Sequence, residues 1–137
     1  MKWYLKVIRD NYANFQGRAR RQEYWMFTLF NAIFIFVIAL ICGVIAEITD
    51  SPAVMSIYLI YALGVFIPSV AVAIRRLHDT GKSGWYYFIS FIPLIGGIWL
   101  IVLLATEGDN GKNQYGPDPK GSNDEEIKEI GKTQLEA

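Results

Sequence analysis

The sequence predicts an all-α integral membrane protein, with three transmembrane helices at about 24–46, 53–74 and 85–105 and an N-terminal interfacial amphipathic helix. Two observations predict it. Each run is free of charged residues and close to the roughly 20 apolar residues that a helix rising about 1.5 Å per residue needs to cross the hydrocarbon core. The charges around the runs also alternate, basic before the first, acidic between first and second, basic between second and third. The positive-inside rule expects this of a chain whose N-terminus and second loop are cytoplasmic. Bulk composition does not decide the matter, because 137 residues suit a single domain and a 53% hydrophobic share with zero formal net charge also fits a soluble protein.

The first fifteen residues, "MKWYLKVIRDNYANF", place Tyr4, Leu5, Ile8, Tyr12 and Phe15 at helical spacing, with Lys2, Lys6, Arg9 and Asp10 mostly elsewhere on the wheel. The pattern predicts a short helix lying in the membrane interface, aromatic face down; a helix packed against the protein's own cytoplasmic loops is the alternative. Gly17 breaks the pattern, and "RARRQEYW" leads into the first span with Tyr24 and Trp25 at interfacial depth. That span has Thr28 and Asn31 as its only clearly polar side chains. It is longer than the roughly 7–15-residue core of a cleavable signal, so it is expected to stay in the mature chain. Cys42, the one cysteine, lies inside it; no intramolecular disulfide can form, and a small apolar packing role is expected.

The connector to the second span is acidic, with Glu47 and Asp50. Within that span Pro68 removes one backbone donor and crowds the carbonyl of Gly64, so a bend is expected. The third run is interrupted by Pro93, Gly96 and Gly97. A kinked full crossing is expected there, which places the C-terminus outside. The alternative is a re-entrant segment, each half being too short to cross alone, which returns the C-terminus to the cytoplasm. From Thr106 the composition turns to Gly, Pro, Asn and Asp, as tight turns require. The last stretch, "SNDEEIKEIGKTQLEA", is too polar to bury a core. The organisation expected is therefore a membrane domain over 1–120 and an acidic, disordered tail over 121–137, helical at most from Glu125 to Ile130.

Between the second and third runs lies "RRLHDTGKSGWYY" (75–87), which concentrates charge, glycine and aromatics. Gly81, Lys82 and Ser83 match the end of a phosphate-binding loop, but Arg76 stands where its other glycine belongs and a helix, not a strand, precedes it. One histidine and one buried cysteine are too few soft ligands for zinc, and no EF-hand spacing occurs, so neither metal nor cofactor is expected. His78 is the one side chain expected to titrate near neutrality, with Asp79 adjacent and Ser83 nearby, but a catalytic group is recognised by geometry. No catalytic residue is assigned. The structural reading accounts for more residues: Arg75 and Arg76 reach lipid phosphates, Asp79 takes turn hydrogen bonds or pairs with an arginine of "RARRQE", Gly81 and Gly84 permit a tight connection, and Trp85, Tyr86 and Tyr87 begin an aromatic belt.

Taken together, "FQGRARRQEYW" (15–25), "RRLHDTGKSGWYY" (75–87) and "EGDNGKNQYGPDP" (107–119) resemble the DUF805 family of small bacterial inner-membrane proteins, over roughly residues 1–120. The resemblance implies an inner-membrane location and supplies no activity. It draws attention to Gly17, Arg18, Arg20, Arg21, Glu23, Tyr24 and Trp25, to Arg75, Arg76, Leu77, His78, Asp79, Gly81, Gly84 and Trp85, and to Asn113, Tyr115, Gly116 and Pro117. From these a surface interaction site is drawn of Arg18, Arg20, Arg21, Glu23, Arg75, Arg76, His78, Asp79, Asn113 and Tyr115. If the three motifs form one site they must share a face, which the full crossing of 85–105 forbids and the re-entrant alternative allows.

The function expected is a non-enzymatic interaction or scaffold role at the cytoplasmic membrane surface. Its expected partners are anionic lipid headgroups, together with other membrane proteins or further copies of the chain, and no nucleic acid. A transporter or channel component is one alternative, weakened by the lack of charge inside the spans. A membrane-surface enzyme using His78 and Asp79 is the other.

Overall fold

A computed structural model describes residues 1–121 and Gly131. The polar tail expected over 121–137, with its helix at Glu125–Ile130, lies outside the described residues apart from Gly121 and Gly131. Among those residues the protein is helical without strands; the one extended pairing is the isolated bridge between Asn113 and Gly116. Helix α1 (Lys2–Leu5) runs into a wider π turn (Lys6–Asp10), then come α2 (Arg21–Thr49), a 3-10 turn (Pro52–Val54), α3 (Met55–Asp79), a 3-10 segment (Gly84–Phe91) and α4 (Gly96–Ala105). The chain divides into two compact units, one of residues 1–14 and 22–72, the other of 15–21 and 73 onwards.

In the first unit α2 and α3 are joined by a short turn. Asp50 adopts a left-handed φ of 49°, Ser51 donates back to the Ala46 carbonyl, and Pro52 starts the next turn where its missing N–H costs nothing. At 29 and 25 residues the helices reach about 44 Å and 37 Å, enough to cross the bilayer. Only 6% of the apolar stretch of α2 is buried within the chain, so it is not the core helix of a water-soluble fold.

The N-terminal helix is present but shorter than its pattern suggested, and part of its aromatic face packs on α2, not on the cytoplasmic loops that the alternative named. Tyr4 and Val7 are buried, with the Tyr4 ring stacked on Phe27 at 5.4 Å and edge-on to Phe34 at 5.1 Å. Tyr61 donates to Asn31 Oδ1 at 3.2 Å, so the 3.0 Å bond between the two phenols has Tyr4 as donor, and the amide oxygen of Asn31 on α2 has a partner. Leu5, Tyr12 and Phe15 keep the exposure expected of an interfacial face.

Pro68 stays inside α3, and the carbonyl it strands has a specific partner: the Tyr12 hydroxyl donates to Gly64 O at 2.5 Å. Tyr12→Phe, which removes that donor and leaves the ring, is expected to destabilise the detergent-solubilised protein by about 1 kcal/mol in thermal unfolding.

In the second unit α3 ends in a Schellman closure: Lys82 N–H reaches the Leu77 carbonyl and Gly81 N–H the His78 carbonyl, both at 3.0 Å, with Gly81 at φ 73°. The run 85–105 then departs from the expected single kinked helix. It folds as a hairpin: the 3-10 segment leads out, Pro93 and Leu94 turn the chain, the latter at φ 67°, and α4 packs back. Both ends meet the last turns of α3. A Cβ on Gly84 would lie 2.9 Å from Ile74, Arg76 donates to the carbonyls of Leu104 and Thr106, and Asp109 N–H donates to Asp79 O at 2.7 Å. With ten residues α4 is only about 15 Å long, half the hydrocarbon thickness. Two helices are thus long and apolar enough to span, and 84–105 forms the hairpin that the re-entrant alternative requires. Residues 107–119 therefore pack beside Arg75–Asp79.

Candidate functional site

The hairpin brings residues 15–21 of the first motif segment into one cluster with the second and third segments, within the second unit. At its centre is Asp79. One carboxylate oxygen accepts from Arg18 Nε at 2.9 Å and the other from Arg76 Nη1. The three side chains are 3%, 1% and 0% exposed, so the charges are held away from water and the pairing must be complete to be tolerated.

The remaining donors close the network. Arg18 also reaches the carbonyls of Gly111 at 2.6 Å and Asp109 at 2.5 Å, tying 109–111 to the Gly17 turn, which needs its φ of 82°. Arg76 caps α4 through Leu104 and Thr106 and donates to Ala19 O; Ala19 N–H in turn donates to the carbonyl of Arg75, itself buried. Gly108 has no side chain because the Asp79 carboxylate occupies the place a Cβ would take.

His78 and Asp79, adjacent in sequence, point to different partners. The imidazole Nδ1 lies 3.1 Å from Gly17 O, and its ring stacks on Tyr115 with centroids 3.9 Å apart and planes 4° from parallel. Asn113 donates to His78 O at 2.9 Å, accepts the Tyr115 N–H, and exchanges backbone bonds with Gly116. The acid–base pairing of His78 with Asp79 considered from sequence is therefore not assembled. Among the described residues no three His, Cys, Asp or Glu side chains gather as a metal ion would require.

The expectation that Arg75 and Arg76 reach lipid phosphates is corrected: both are buried, as is Arg18. Arg20 is half-buried, donating to Pro119 O at 2.6 Å, while Arg21 is exposed. Glu23 is not a surface residue either. It belongs to the first unit, fully buried, and accepts from Lys6 Nζ at 2.9 Å. Burial works against ionisation at Asp118, but the N–H groups of Lys120 and Gly111 and the charges of Arg18 and Lys120 outweigh it, holding the carboxyl below its ordinary value of 3.8. Its small contribution to stability is present above that value and lost as pH falls through the lower folded one.

Sequence reasoning missed Gly108 and the carbonyls that the arginines cap. The spacing of Arg76 and Asp79, three apart on a helix, was the available signal for a buried pair.

With this geometry in place, the comparisons agree with the resemblance. A family model described as "Protein of unknown function (DUF805)" matches residues 12–117. The chain is 51% identical to inner membrane protein YhaI of Escherichia coli K12 over 127 residues, covering 90% of this chain and 100% of that protein. It is 46% identical to inner membrane protein YhaH of the same strain over 121 residues, 88% of this chain and 98% of that one. No solved structure matches.

Proposed function

This chain belongs to the DUF805 family, and from that premise we propose that it is a non-enzymatic interaction protein of the inner membrane that presents a cationic cytoplasmic face to anionic lipid. The observation that carries the reading is how the cations divide. The donors of Arg18 and Arg76 are spent on Asp79 and on backbone carbonyls, which makes the interior charges structural, while Arg21 is exposed and Lys82 half-exposed. Residues 15–21 and 73–121 carry eight Lys and Arg against four carboxylates, a cationic stretch that precedes the acidic tail. Basic flanks on a two-crossing chain favour the cytoplasmic side, where anionic headgroups attract each exposed cation by about 1 kcal/mol.

The full chain in phosphatidylcholine nanodiscs is expected to retain added anionic phospholipid. Arg21→Gln combined with Lys82→Gln should weaken that retention by about thirtyfold, two such increments. Retention by the double variant equal to that of the parent, with its unfolding temperature unchanged, would refute the assignment.

A further inference from the structure

Beside the sealed cap lies a cavity of about 350 Å³, lined by Ile74, His78, Ser83, Gly84, Trp85 and Phe88. That volume is at the small end for a ligand pocket, and its wall is apolar except at two points. The first is His78. Gly17 O can only accept, so the proton of a neutral ring sits on Nδ1 and the lone pair on Nε2, which makes no hydrogen bond among the described residues. The second is Ser83, whose Oγ accepts the Trp85 N–H at 3.3 Å and whose own O–H is left to donate. The cavity thus offers one acceptor and one donor. It opens beside the exposed rings of Trp85 and Phe88, with half-exposed Lys82 next to Ser83 in the chain.

We propose that this cavity binds the glycerol headgroup of an anionic phospholipid. One headgroup hydroxyl donates to His78 Nε2, another accepts from Ser83 Oγ–H, and the acyl chains lie along Trp85 and Phe88. A hydroxyl meets both polar points, which a bare phosphate ester does not, and half-exposed Lys82, next to Ser83 in the chain, favours a headgroup with net negative charge. The inference rests on the anionic-lipid reading above and narrows it to a headgroup chemistry.

His78 is the sole histidine, so its ring nitrogens are read without assignment in the full-length protein labelled with ¹⁵N-histidine. In phosphatidylcholine nanodiscs at about pH 8, above the ordinary histidine range, Nδ1 is expected to show a protonated signal and Nε2 an unprotonated one. Added phosphatidylglycerol should shift the Nε2 signal. Phosphatidylmethanol, with the same charge and no headgroup hydroxyl, should bind the surface and leave that signal in place. Ser83→Ala is expected to weaken the phosphatidylglycerol response about fivefold, one neutral hydrogen bond, and to leave phosphatidylmethanol binding unchanged. Equal responses to both lipids, or a protonated Nε2, would overturn the headgroup site and leave the anionic-lipid reading standing. Failure of either lipid to bind in preference to phosphatidylcholine would overturn both.

Discussion

Asp79→Asn is expected to lower the unfolding free energy of the detergent-solubilised protein by about 3–5 kcal/mol, the range found when one partner of a buried ion pair is removed. The carboxylate is the shared acceptor of Arg18 and Arg76, and none of the three side chains is more than 3% exposed. Asparagine preserves the volume but turns one acceptor into an N–H₂ group, so one guanidinium faces a donor and both lose their counter-charge. Water cannot enter to compensate. The damage should also spread, because the same arginines hold the carbonyls of Asp109, Gly111, Leu104 and Thr106. Arg18→Gln placed on top of Asp79→Asn is therefore expected to cost less than the two changes measured singly, as coupled partners of one network do. Glu107→Gln, which removes the acid of an exposed 3.6 Å pair with Lys120, should change stability by less than about 1 kcal/mol. A comparable loss at Glu107 and Asp79 would mean that net charge, and not the buried cap, governs the effect.

The two long helices were legible because the hydrocarbon core demands uninterrupted apolar length, and 24–46 and 53–74 supply it. The fate of the arginines was not, because a sequence shows which residues are charged and not where their donors go. Arg75 and Arg76 after an apolar run read as lipid anchors, and the same run of residues buries when a segment far along the chain returns carbonyls to it. Glu23 was misplaced in the same way: its partner, Lys6, stands 17 residues earlier, at no spacing that a helix fixes. Motif order carried more information than charge. If the three segments of the family pattern form one site they must share a face, which the expected full crossing forbade, and the geometry of 84–105 shows how the chain brings them together.

Apolarity does not distinguish one kinked helix of 21 residues from a hairpin of the same length, but two adjacent glycines do. In the hairpin a Cβ on Gly96 would overlap the Ile89 carbonyl of the outgoing 3-10 segment, whereas a Cβ on Gly97 meets nothing within 4 Å. The obstacle at Gly96 is backbone, so it cannot swing aside as a side chain would; the two arms must separate. Gly96→Ala is expected to destabilise by about 1–3 kcal/mol or more. Gly97→Ala should be neutral or stabilising by up to about 1 kcal/mol, because alanine is the better helix former and the site is open. Opening the hairpin also pulls Leu104 and Thr106 from Arg76, so the Gly96 loss should shrink when Arg76→Met is already present. In a single kinked helix neither glycine faces a returning arm, and the two alanine variants should then behave alike. Thermal unfolding of the pair in one detergent therefore reads the path of the chain directly: a large difference between neighbours requires the close approach at Ile89, and equal behaviour excludes it.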